Sequence, residues 1–188
     1  MVTSPGAGEP LYVAADVHYL GDAGARAAVV ATSDRRFGQV AWTGTAVVPV
    51  AAAYQAGEFY QRELPPLQAV IPHSRSLALI VVDGYVDLDG TGRPGLGAHV
   101  HAAFGVPVVG VAKTPFRTAT HAASVRRGRS ARPLYVTAAG MPIGEAADLV
   151  RDMTGSFRIP AALKLADRLA RGLEPGLAAC SPAGGGRR

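Results

Sequence analysis

An unbroken apolar run, Leu77–Val82, ends on a carboxylate, Asp83. An apolar stretch of this length without polar alternation fits a strand buried on both faces, as in parallel sheets. A second run, "VPVVGVA" (106–112), has the same character and is followed at once by Lys113. Strands of this kind need cover on both sides, which confines the chain to a sheet packed with helices. A charge at the end of a buried strand is costly unless a cation of the protein or a bound metal pairs it. Two further acids, Asp87 and Asp89, follow in the glycine-rich loop behind it.

The remaining elements fall around these two runs. "LYVAADVHYL" (11–20), "ARAAVVAT" (25–32) and "QVAWTGTAVV" (39–48) read as a three-strand meander, with turns at Gly21–Asp22 and Asp34–Gly38. "AGEFYQREL" (56–64) reads as a helix that Pro65 and Pro66 break or restart, running on to about Val70. Residues 95–104 read as helix, and "RPLYVTA" (132–138) as strand. "IGEAADLVRDM" (143–153) and "PAALKLADRLARG" (160–172) read as amphipathic helices; Leu163, Ala166, Leu169 and Ala170 make one face of the latter. Antiparallel pairing first and crossover units later predict an α/β fold. The expectation is a ribonuclease-H-like mixed sheet of five or six strands with helices on both faces. The 188 residues suit one domain, expected over 11–174. Residues 1–10 are expected to be a flexible arm and 175–188 a disordered tail.

Composition removes several classes of function. No apolar run approaches the ~18 residues of a membrane span, and the N-terminus lacks the pattern of a signal peptide, so a cytoplasmic location is expected. The single cysteine, Cys180, allows neither a disulfide framework nor a thiolate zinc site. The net charge is +5 and the pI about 9.8, with lysine only at positions 113 and 164. Such a balance suits a phosphate-bearing partner, and a compositional preference for Arg over Lys is the alternative. Arg126, Arg127, Arg129 and Arg132 crowd "SVRRGRSARP" (124–133), which reads either as a phosphate-contacting loop or as a solvated one.

The acids carry the chemistry. Asp16 interrupts an apolar strand, where Asp is disfavoured. If the first and fourth strands are neighbours, Asp16 meets Asp83, and two adjacent carboxylates repel unless a divalent cation lies between them. Oxygen ligation suits Mg²⁺, or Mn²⁺ in its place. The five histidines, His18, His73, His99, His101 and His121, show no zinc spacing. Glu63 and Asp167 each stand beside arginine and, taken alone, read as surface ion pairs. Lys113, at a strand end, is placed to point at the sheet edge where the acids meet and to hold a phosphate oxygen.

In order along the chain, these segments resemble the endonuclease V family. "AADVHY" resembles its first-strand motif and implies Asp16 as a metal ligand. "YQAGEFYQRELP" resembles its tyrosine loop and following helix, implying Tyr54 as a strand-separating wedge and Glu63 as the second acid. "IVVDGY" implies Asp83 as a metal ligand, and "GLGAHVHAAFGVPVVGVAK", the most specific match, implies Lys113. "RPLYVTAAGMPIGEAADLV" resembles a late strand and helix, and "IPAALKLADRLAR" the last helix, with Asp167 as its acid. The resemblance covers residues 11–172. It implies a ribonuclease-H-like fold acting on DNA, or on RNA, at deaminated bases, inosine above all; a monomer is the default expectation. Mg²⁺-dependent cleavage of one phosphodiester on the 3′ side of the lesion would leave 3′-hydroxyl and 5′-phosphate ends. Asp16, Glu63, Asp83, Lys113 and Asp167 would be catalytic. Tyr54, Gly84, Tyr85 and Arg93 would contact the substrate, with a flipped base near Gly84 and Tyr85.

Three segments depart from the family pattern. The wedge loop reads Ala53–Tyr54–Gln55–Ala56 in place of proline–tyrosine–isoleucine–proline. The loop after Asp83 carries one arginine, Arg93, and two extra acids, so Asp87 or Asp89 stands either as a replacement ligand or as a polar loop cap. A ten-residue arm replaces the helix that precedes the first strand. Two alternatives follow: a nuclease of the same fold with a changed substrate (RNA or branched DNA), or a nucleic-acid-binding protein without catalysis.

Overall fold

The computed structural model describes residues 9–49, 60–73 and 76–173. The elements are β1 (Leu11–Tyr19), β2 (Ala25–Thr32), β3 (Val40–Val48), α1 (Tyr60–Val70), β4 (Leu77–Asp83) and α2 (Leu96–Phe104). Then come β5 (Val108–Ala112), β6 (Ala123–Val125), β7 (Leu134–Ala139), α3 (Ile143–Asp152) and α4 (Ala161–Ala170). Seven strands form one sheet in the order β3-β2-β1-β4-β5-β7-β6. The meander β1–β2–β3 is antiparallel, β1, β4 and β5 are parallel, and β7 and β6 return antiparallel.

The two apolar runs occupy the sheet centre, where both faces are covered. Ala14, Val81, Val109 and Val136 face Val150 of α3 and Ala166 of α4. Val13, Ile80 and Val108 face Leu67 of α1 and Val100 of α2. This is the arrangement that continuous apolar strands require.

Two expectations need correction. The sheet has seven strands, not five or six. The extra one, β6, is three residues long, and its pairing with β7 is set by a distant segment rather than by its own pattern. The second concerns Pro65 and Pro66, which neither end nor restart a helix: α1 runs through both. Proline's fixed φ is helical, and its cost is the missing donor to the carbonyl one turn back. Leu67, Val70 and Ile71 are buried beyond the prolines and anchor the last turn in the core.

The sheet also holds the loop that follows Asp83. Gly84, at φ +141°, donates its N–H to the Val111 carbonyl at 3.1 Å, and Val86 donates to the buried Thr137 hydroxyl at 2.8 Å. Gly110 in β5 leaves room for this crossing. A Cβ there would stand 2.7 Å from the Gly84 carbonyl oxygen and 2.8 Å from Thr137 Oγ1.

Candidate active site

β1 and β4 lie side by side, and their parallel pairing runs through Ala15 and Val82. One step further along each strand stand Asp16 and Asp83. By period-2 alternation they belong to the series of Ala14 and Val81, the face that α4 covers. α4 brings Asp167 to that same face. Lys113 follows β5 at the same end of the sheet, and its ammonium hydrogen-bonds and pairs with Asp83. Glu63 comes from α1 and joins Asp16 and Asp83 around a small cavity closed by Leu67 and Leu96.

The electrostatics reflect this crowding. Burial, then the charge of Asp83, push the Asp16 carboxyl up to about 7; the Val17 N–H donating to Oδ1 at 2.8 Å and the nearby Lys113 only partly offset this, and Asp167 adds to the rise. Glu63 is raised chiefly by burial, with Asp83 adding and the Tyr19 hydroxyl opposing. Burial alone would lower Lys113. The hydrogen bond and charge of Asp83, with Asp16 and Asp167 behind it, outweigh that and raise it. Asp167 accepts from Arg171 Nε at 3.0 Å, so it is ion-paired while still acting on Asp16 and Lys113.

Among the described residues no three carboxylates, imidazoles or thiols stand close enough to form a complete metal shell. The donor chemistry suits a hard cation all the same. Mg²⁺ is usually held by one or two carboxylates, with water and substrate phosphate oxygens filling its octahedron. Asp16 and Asp83 offer two carboxylates at one cavity, and burial first, then the charge of Asp83, holds the Asp16 carboxyl up at about 7.

The substrate-contact candidates fall differently. Tyr54 lies outside the described residues. Gly84 is pinned to β5 as above. Tyr85 donates its hydroxyl to the Thr114 carbonyl at 2.8 Å and accepts from the Phe116 N–H at 2.9 Å, tying it to the segment after Lys113. Arg93 lies over the Phe116 ring, 6.0 Å from its centroid, and its guanidinium pairs with Asp89 at 3.5 Å. Asp89 is the polar loop cap. It accepts from Thr91 N and Oγ1 and from Arg93 N, and these bonds, the Thr91 hydroxyl first, lower its carboxyl. Asp87 is drawn into a bridge with Pro94.

One side chain at the site, Tyr19, was not foreseen, and one foreseen arginine takes another role. The Tyr19 hydroxyl donates to Glu63 Oε1 at 3.0 Å, and Arg62 lies over the Tyr19 ring. Tyr19 is three residues from Asp16 in one strand, so alternation sends it to the α1 face, where Glu63 stands; that parity was the available signal. The arginine is Arg127. The arginine loop divides: Arg126, Arg129 and Arg132 are exposed, but Arg127 is only 5% exposed. Its guanidinium donates to the carbonyls of Arg151 (3.3 Å), Gly155 (3.0 Å), Phe157 (3.1 Å), Arg158 (3.5 Å) and Met153. Arg127 therefore clamps the turn between α3 and α4 rather than meeting a phosphate.

Comparison with known proteins bears on the family and the fold. A family model described as Endonuclease V matches residues 6–140. No curated protein matches the sequence. The fold is similar to a crystal structure of endonuclease V from Streptomyces avermitilis, at 26% identity and TM-score 0.70, covering 90% of this chain and 83% of that one. It is also similar to human endonuclease V (22%, TM-score 0.68, 88% and 84% covered). A third similar structure is Ciona intestinalis endonuclease V in complex with a 23mer DNA containing an inosine (18%, TM-score 0.71, 86% and 84% covered).

Proposed function

The chain belongs to the endonuclease V family, and on that premise we propose that it is a metal-dependent endonuclease cutting a phosphodiester bond on the 3′ side of deaminated bases. Inosine in DNA is the first substrate, inosine in RNA the second, and repair of deaminated DNA the role. The observation that carries this reading is the convergence of Asp16, Asp83 and Glu63 on one cavity, with Lys113 on Asp83.

Asp16 and Asp83 would hold Mg²⁺, or Mn²⁺ in its place. Bound there, the ion would supply an activated water and offset charge on the phosphate oxygens. The chain's own groups do the rest. Glu63, raised by burial and oriented by the Tyr19 hydroxyl, suits a carboxylate that takes a proton from the attacking water. Lys113 remains charged and supplies the cation for a non-bridging phosphate oxygen. Asp167, fixed by Arg171, adds negative field behind Asp16 and Lys113. Gly84, Tyr85 and Arg93 line the approach to the flipped base.

The test is strand cleavage with Mg²⁺ on deoxyinosine DNA, inosine RNA and an unmodified control, with Asp83→Ala as blank. A single cut 3′ of inosine, absent from the blank and abolished by chelation, is expected. Salt-sensitive binding without any cut would overturn the reading and leave a binding protein.

A further inference from the structure

Lys113 and Asp167 also border a groove of about 790 Å³ that runs away from the Asp16–Glu63–Asp83 cavity. Its floor is Ile159 and Leu163; its rim carries Lys113, Arg129, Arg158 and Lys164, against a single acid, Asp167. That acid is already paired with Arg171. Phe157 stands in the wall at 69% exposure, with the Lys164 ammonium 5.3 Å from its ring centroid.

The ring is held there deliberately. Arg127 binds the carbonyls on both sides of the turn, Phe157's own included. Gly128 backs onto the same turn so closely that a Cβ would stand 2.3 Å from the Ser156 carbonyl oxygen. Arg158 donates to the carbonyls of Lys113 and, at 2.7 Å, Pro133, which joins the groove to the catalytic lysine. The Arg158 Nε is buried without a partner.

Resting on the nuclease reading above, we propose that this groove seats a single-stranded stretch of the nucleic-acid substrate beside the scissile bond, with one base stacked on Phe157 and flanking phosphates on Lys164 and Arg129. An open aromatic among cations is the design of single-strand platforms, where bases stack without sequence preference and the backbone follows positive charge. A paired, stacked duplex base has no free face to offer, so the occupant is an unpaired strand. Continuity through Lys113 and Asp167 places that strand next to the bond to be cut.

The test uses the metal-free full chain and an unmodified oligonucleotide of about ten nucleotides, within the site sizes such surfaces cover. Phe157→Trp is combined with Trp42→Phe so that emission reports the groove alone. Saturable quenching is expected. Phe157→Ala should weaken binding by about tenfold, as loss of one stacked base does. Lys164→Gln and Arg129→Gln should each reduce the salt slope by about one, with urea midpoints unchanged. Absent quenching, an unchanged affinity in Phe157→Ala, or equal displacement by polyglutamate would overturn the proposal. The readout needs neither metal nor a cut, so binding here without cleavage of inosine substrates would sink only the nuclease reading. Inosine-dependent cleavage with unaltered KM in Phe157→Ala would sink only the groove.

Discussion

The acid centre and the Phe157 groove meet at Lys113 but are built by opposite means. In the centre, charge is forced together: Asp16 and Asp83 sit at matched positions on adjacent parallel strands, and strand pairing leaves them no alternative. In the groove, a single buried cation, Arg127, gathers carbonyls from a turn 24 to 31 residues away and so sets where Phe157 and Arg158 stand. The centre is robust in position and costly in charge. The groove gathers cations instead and depends on one side chain for its shape.

The largest effect should come from the centre. Asp83→Ala should reduce cleavage of inosine substrates to background in a gel assay while leaving the fold intact. The charge cost itself appears in Asp16. Its folded carboxyl titrates near 7, above its ordinary value, so the native state binds the proton more tightly than the unfolded chain. The associated stability is fully present below about pH 4 and is lost as pH rises through about 7. In metal-free buffer at pH 8, Asp16→Asn should therefore be more stable than the parent by about 1–4 kcal/mol, with the gap closing at pH 4. Urea unfolding at the two pH values checks this, and a destabilised variant at pH 8 would mean that the carboxylate is held by bonds rather than strained.

Next in size is the clamp. Arg127→Met should cost about 3 kcal/mol in urea unfolding, because the carbonyls of Arg151, Met153, Gly155 and Phe157 lose a charged donor. It should also weaken oligonucleotide binding more than it lowers kcat, since β1, β4 and β5 place the acids without it. A kcat loss matching that of Asp83→Ala would end the separation drawn here between centre and groove. Tyr19→Phe should be milder. One hydrogen bond on Glu63 is lost, so stability falls by about 1 kcal/mol, and kcat should drop by about tenfold with KM unchanged if Glu63 handles a proton. The smallest effect belongs to the exposed Asp148–Arg151 pair on α3, whose side chains are 67% and 53% exposed. Asp148→Asn should change stability by less than about 0.5 kcal/mol. That marks the difference between a solvated arginine contact and the buried one at Arg127.

Much of the centre was legible in the chain because its signals are local. An apolar run that ends on Asp83, a carboxylate inside an apolar first strand and a lysine directly after a buried strand are properties of neighbouring residues. The periods of strand and helix carry them to one sheet end. The arginine cluster was legible only as charge. Nothing in "SVRRGRSARP" distinguishes the inward Arg127 from its outward neighbours, because its partners are carbonyls of a turn that only the packing of α3 and α4 brings near. The continuity of α1 through Pro65 and Pro66 was hidden for the same reason: the burial that holds its last turn lies outside the segment.

By itself, then, the sequence determined the central strands, the helices that cover them, the family and the acids at the strand ends. These follow from periodicity and from the cost of burying charge, which act over a few residues. Only the tertiary structure decided the seventh strand, the Tyr19–Glu63 bond, the inward Arg127 and the groove at Phe157. Each joins segments far apart in the chain, and such pairings depend on how layers pack, which no local pattern encodes.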